Sequence, residues 1–176
     1  IIRGLVGSEM CIRDSIYESG TAGGKRVQAL GGAKNHMVVL PDADIDLAAD
    51  SAVSAAYGSA GERCMAISVV VAVGEVAEPL VRAISDRIDN LKIGPGMQPD
   101  SEMGPLISKE HRTRVVDYIN SGEAEGATVV CDGRVHSPEQ KGFYVGATLL
   151  DNVTTDMEVY RDEIFGPVLS VVRVQS

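Results

Sequence analysis

Cys64 is the residue of this 176-residue sequence best placed for covalent chemistry. It sits in the segment Gly58-Ser59-Ala60-Gly61-Glu62-Arg63-Cys64-Met65, between an Ala-rich stretch and the apolar run Ile67–Val73. A thiol in a Gly-flanked turn can be exposed, and the adjacent Arg63 guanidinium stabilises the thiolate, which is the nucleophilic form. These residue types alone leave a second reading open, and it is the preferred one: a buried, inert cysteine. Cys131 lies in the apolar run Val129-Val130-Cys131 and carries the inert reading. Arg63 has two readings as well. It can bind a substrate carboxylate bidentately, or it can be a surface or helix-capping arginine. Glu163 is either a cofactor contact or an ordinary solvated acid of the run Arg161-Asp162-Glu163.

Other motifs fail on spacing. Gly20-Thr21-Ala22-Gly23-Gly24-Lys25 has three residues between its outer glycines, and Arg26 comes after the lysine, so it is not a phosphate-binding P-loop. The alternating Asp42, Asp44 and Asp46 suggest a calcium loop, but Leu47 replaces its glycine and Val53 its bidentate glutamate. Helix capping is the better reading of these aspartates. His36, His111 and His136 are scattered and read as surface or hydrogen-bonded residues; no metal site is expected. Three distant cysteines without a CxxC pair argue against a disulfide framework and for a reducing intracellular compartment. The sequon Asn152-Val153-Thr154 is then uninformative.

The elements that must position these residues alternate between two hydrophobic periods. A strand is expected at His36–Leu40, and a helix from Pro41-Asp42-Ala43-Asp44 to Gly58. A buried strand comes next at Ile67–Val73. Val76, Leu80, Ile84, Ile88 and Leu91 then mark an amphipathic helix over 76–91. A Gly/Pro loop from Gly94 to Pro105 leads to a helix after Ser108 that ends near Gly122. Thr128–Cys131, Phe143–Val145, Ala147–Leu150 and Val168–Val174 are short strand candidates. Alternating strands and helices imply an α/β fold with a largely parallel sheet.

Composition excludes several classes. The net charge of −9 is wrong for a nucleic-acid surface. No apolar run approaches the roughly 20 residues that span a bilayer. With no Trp, five Tyr and two Phe, the core must be aliphatic. Both ends read as cut, because there is no initiating Met and the run Val168–Val174 stops near the last residue. Residues 1–15 sit oddly against the rest of the chain, and Gly7–Ser15 resembles a non-native translated leader. No chemistry is placed there, Cys11 included.

Five segments together carry a family resemblance: Leu30-Gly31-Gly32-Ala33-Lys34-Asn35, Pro41-Asp42-Ala43-Asp44, Gly61-Glu62-Arg63-Cys64, Met103-Gly104-Pro105-Leu106-Ile107 and Glu163-Ile164-Phe165-Gly166-Pro167-Val168. In order and separation they resemble the signatures of the aldehyde dehydrogenase superfamily. Gly-Gly-Ala-Lys-Asn-His and Gly-Ser-Ala-Gly-Glu-Arg-Cys-Met-Ala resemble its CoA-acylating methylmalonate-semialdehyde branch. The resemblance covers residues 16–176. It implies the end of a Rossmann-type NAD-binding domain over 16–60 and most of an α/β catalytic domain over 61–176.

What the resemblance implies for chemistry is specific. Cys64 attacks the aldehyde to give a thiohemiacetal, its backbone N–H helps stabilise the oxyanion, and NAD takes the hydride to leave a thioester. Glu163 contacts the nicotinamide ribose, Phe165 positions the nicotinamide ring, and Leu30 and Gly31 line the same pocket. Arg63 receives the carboxylate of a malonate or methylmalonate semialdehyde. Hydrolytic members carry a Glu just before Leu-Gly-Gly, whereas this sequence has Ala29, which cannot act as a base; neither can Gln28. Coenzyme A, whose thiol is partly ionised at neutral pH, is therefore the expected acyl acceptor. The remaining alternatives are a hydrolytic enzyme that uses another base and a chain that is inactive on its own. The family further implies a homo-oligomer, a tetramer, in the bacterial cytoplasm or the mitochondrial matrix.

Overall fold

The computed structural model describes residues 7–135 and 141–175; His136 and residues 1–6 lie outside them, and so does the Cys11 side chain. The chain divides into two compact units, Ile1–Ala33 and Lys34–Ser176. In the first, helix α1 (Gly7–Ala22) is closed by Gly24, whose φ of 69° ends the helix in the left-handed region. No helix is expected there from the sequence. It runs unbroken across the expected boundary at residue 15, so the backbone does not divide at that point.

The second unit is built on a five-stranded sheet of order β1-β2-β5-β4-β3. Strands β1 (Asn35–Val39), β2 (Ile67–Val73), β5 (Val168–Val174) and β4 (Thr148–Asp151) run parallel, and β3 (Thr128–Cys131) closes one edge antiparallel to β4. The central strands are covered on both faces, so they read as unbroken apolar runs. Val69, Val70, Leu169 and Val171 are fully buried there.

Helix α2 (Ile45–Tyr57) starts at Asp44, whose Oδ1 accepts the Leu47 N–H at 3.1 Å. A cap of this kind contributes about 1 kcal/mol. Calcium-loop geometry plays no part in it. The buried face of α2 is Ala48, Ala49, Ala52, Ala56 and Tyr57, and it packs on α3 (Ala77–Ile88). Helix α4 (Lys109–Ala124) is capped by Ser108 and packs on the short helix α5 (Glu158–Arg161).

One expectation is corrected. Phe143–Val145 is not a strand: Phe143 forms a single bridge to Leu106, while Tyr144 and Val145 are buried by packing. Helix α5 was not legible, since four residues are too few to display a period. β1 shares one sheet, and α2 one core, with elements that follow residue 60.

Candidate active site

Three segments that resemble functional motifs precede three adjacent parallel strands. Lys34-Asn35 leads into β1, Glu62–Cys64 into β2 and Glu163–Pro167 into β5. Parallel pairing therefore gathers all three at the amino-terminal ends of the β1, β2 and β5 strands. Open α/β sheets more often use the carboxyl ends.

The turn before Cys64 is strained. Ser59 and Ala60 hold φ of 53° and 54°, and Gly61 is next at 71°. Left-handed backbone costs a non-glycine residue roughly 1–3 kcal/mol. A close approach accounts for Gly61, because a Cβ there would overlap the Gly166 carbonyl. Gly166 in turn leaves room for Val115, whose Cγ2 would lie 2.6 Å from an added Cβ. The Ser59–Gly61 turn and the Glu163–Pro167 loop thus meet backbone to backbone.

Cys64 is exposed. It lines an open cleft of about 670 Å³ together with Ser51, Ser54, Ala55, Arg63 and Met65. Arg63 makes the helix-capping contacts that one of its two sequence readings describes. Its Nη2 donates to the Ser54 and Ala55 carbonyls, each at 3.1 Å, and so caps the end of α2. Gly58 makes room for this, as a Cβ there would lie 2.6 Å from Nη2. The Nε and Nη1 donors make no hydrogen bond among the described residues and remain available at the cleft.

Sequence reasoning gave Glu62 no role, and the structure supplies one. Its Oε1 accepts the Ile107 N–H at 3.3 Å and lies 3.3 Å from His111 Nε2. The same Nε2 donates to the Phe165 carbonyl at 2.6 Å. Both partners are acceptors, so Nε2 carries the proton. Burial pushes the Glu62 carboxyl above the usual carboxylate range, opposed by the Ile107 N–H and His111. This cluster ties Glu62, two residues before Cys64, to Phe165, itself at a φ of 57°.

Glu163 is half-buried, and its carboxylate makes no hydrogen bond or ion pair among the described residues. Its acceptor capacity is therefore available for vicinal hydroxyls such as those of a ribose. Lys34 lies near it. The Lys34 ammonium is lowered to about 8 by burial, against the raising influence of Asp162 and Glu163. Leu30 and Gly31 are exposed and belong to the first unit, while Cys64, Arg63, Glu163 and Phe165 belong to the second. Cys131 is half-buried, 3.2 Å from Ser85 Oγ, and burial pushes its thiol up. Among the described residues no cluster could hold a metal ion, and no helix is long and apolar enough to cross a membrane.

Cys64 thus stands exposed after a strained turn and shares an open cleft with Arg63. Comparison with known proteins supplies the family. The aldehyde dehydrogenase family model matches residues 4–176, and the chain belongs to that family. It is 53% identical over 171 residues to the malonate-semialdehyde dehydrogenase of Halalkalibacterium halodurans, covering 97% of this chain and 35% of that protein. The methylmalonate-semialdehyde dehydrogenase structure from Oceanimonas doudoroffii superposes with a TM-score of 0.85 at 50% identity, over 94% of this chain and 34% of that one. The betaine aldehyde dehydrogenase of Staphylococcus aureus, in complex with NAD+, superposes at 0.80 and 31% identity over 93% of this chain and 33% of that one. The chain thus spans about a third of the length of the relatives it matches.

Proposed function

We propose that the full-length protein carrying this segment oxidises malonate or methylmalonate semialdehyde with NAD and passes the acyl group to coenzyme A. The observation that carries this reading is the cleft in which exposed Cys64 adjoins the free edge of Arg63. The Cys64 thiolate attacks the aldehyde carbon, and its backbone N–H donates to the oxyanion that forms. NAD, when bound, accepts the hydride that converts the thiohemiacetal into a thioester. Glu163 would accept hydrogen bonds from its ribose hydroxyls, and Phe165 would be an apolar contact for the nicotinamide. Residues 16–60 belong, in this reading, to the NAD-binding part of the whole enzyme.

Arg63 grips the substrate carboxylate with the donors that α2 leaves free, turning the aldehyde toward the thiol. With Ala29 where a water-activating glutamate would stand, the thioester waits for a thiol. Coenzyme A attacks it, Cys64 leaves as thiolate, and an acyl-CoA departs. The substrate's own carboxyl group leaves as carbon dioxide or bicarbonate, so malonate semialdehyde gives acetyl-CoA and methylmalonate semialdehyde gives propionyl-CoA. The working enzyme is a homo-oligomer in this reading.

Arg63 provides the test. Charge-assisted hydrogen bonds contribute roughly 1.5–3 kcal/mol. Arg63→Ala in the full-length enzyme should therefore raise KM for malonate semialdehyde on the order of 10- to 100-fold, with propionaldehyde affected far less. Cys64→Ser should abolish turnover of both. An equal loss on the charged and uncharged aldehydes would contradict carboxylate recognition.

A further inference from the structure

Two neighbouring side chains reach, from one point on β1, into both functional loops. Asn35 Nδ2 donates to the Cys64 carbonyl at 2.8 Å and to the Ala66 carbonyl at 2.9 Å. Both partners are acceptors, so the amide nitrogen must be the atom facing them, and its two hydrogens are fully used. The bonds fall where the backbone ladder falters. Asn35 pairs with Ile67 but His36 pairs with Val69, so one residue of β2 is skipped between them. The Asn35 side chain carries the pairing of β1 and β2 past that irregularity and onto the nucleophile turn.

Lys34 reaches the other way. Its Nζ donates to the Val159 carbonyl at 2.6 Å and the Asp162 carbonyl at 2.7 Å. These two carbonyls belong to α5 and to the residue just before Glu163. The Asp162 side chain is separately held by the Tyr118 hydroxyl at 3.2 Å. The loop that presents Glu163 is therefore anchored on the residue adjacent to the one that anchors Cys64.

We propose that Lys34 and Asn35 are paired positioning residues, a two-residue brace that sets the Cys64 turn and the Glu163 loop in register with each other. This rests on reading Cys64 as the nucleophile and Glu163 as a cofactor contact. Neither side chain touches a reacting atom. Their effect is on the distance and angle between thiol and cofactor, to which rates are steeply sensitive.

A double-mutant cycle in the full-length enzyme tests the brace, read by the pre-steady-state NADH burst and by NAD affinity from fluorescence. Cutting either end of one brace loses the same registration. Asn35→Ala and Lys34→Met should each slow the burst about tenfold, and the double variant should be little slower than the slower single. NAD affinity should fall in Lys34→Met and hold in Asn35→Ala, while Lys34→Arg should restore most of both readouts. Asn35→Ser, which keeps one donor, should be intermediate, and it serves where Asn35→Ala fails to fold. Losses that multiply to about a hundredfold in the double variant, or singles with an unchanged burst, would overturn the brace. If Cys64→Ser also abolishes the burst, that failure belongs to the brace alone. A burst that survives Cys64→Ser would sink the nucleophile assignment and the brace with it.

Discussion

At the scale of the residue, Lys34 shows how position changes chemistry. An ammonium that is ordinary in sequence lies between strands and loop, where burial lowers it from 10.5 to about 8. Below pH 8 both folded and unfolded chains hold the proton, and the folded state bears the desolvation cost. Between about 8 and 10.5 the unfolded chain keeps a proton that the folded one has released, so stability rises with pH. The difference in urea midpoint between wild type and Lys34→Met should therefore shift in favour of wild type over that interval. A difference that is constant with pH would contradict this. None of it was legible in the sequence, where Lys34 was one letter of a motif. For Arg63 the sequence offered capping as one of two readings, and the fold shows that the helix it caps is α2. Glu62 and His111 carried no local signal, because their partners Ile107 and Phe165 are distant in the chain.

At the scale of the element, strands announced themselves best. Ile67–Val73, Thr128–Cys131 and Val168–Val174 were readable as apolar runs between turn residues, and each forms over those residues. Phe143–Val145 has a similar composition, but only Tyr144 and Val145 are buried, and among the described residues the run has no partner strand. Composition reports burial, and pairing depends on what lies beside the run. The glycine of the nucleophile turn carries the element-scale prediction. Gly61→Ala places a Cβ at φ 71° against the Gly166 carbonyl and should cost about 2 kcal/mol or more. Gly126→Ala, at φ 107° in open space, should cost distinctly less by the same denaturant midpoint. Equal losses would mean that backbone conformation, and not the meeting of the two loops, constrains Gly61.

At the scale of the whole molecule, class was legible and connectivity was not. Alternating elements announced a mostly parallel α/β sheet, yet nothing local could order its strands as β1-β2-β5-β4-β3. That order makes the candidate site, since it sets segments some hundred residues apart side by side. The central claim concerns what releases the acyl group from Cys64, and it hangs on Ala29. The most direct measurement tracks NADH formation from malonate semialdehyde by the full-length enzyme, with and without coenzyme A. One equivalent of NADH per active site should form and then stall, with turnover resuming when coenzyme A is added. Equally fast turnover without coenzyme A would make water the acceptor and contradict the acylating reading.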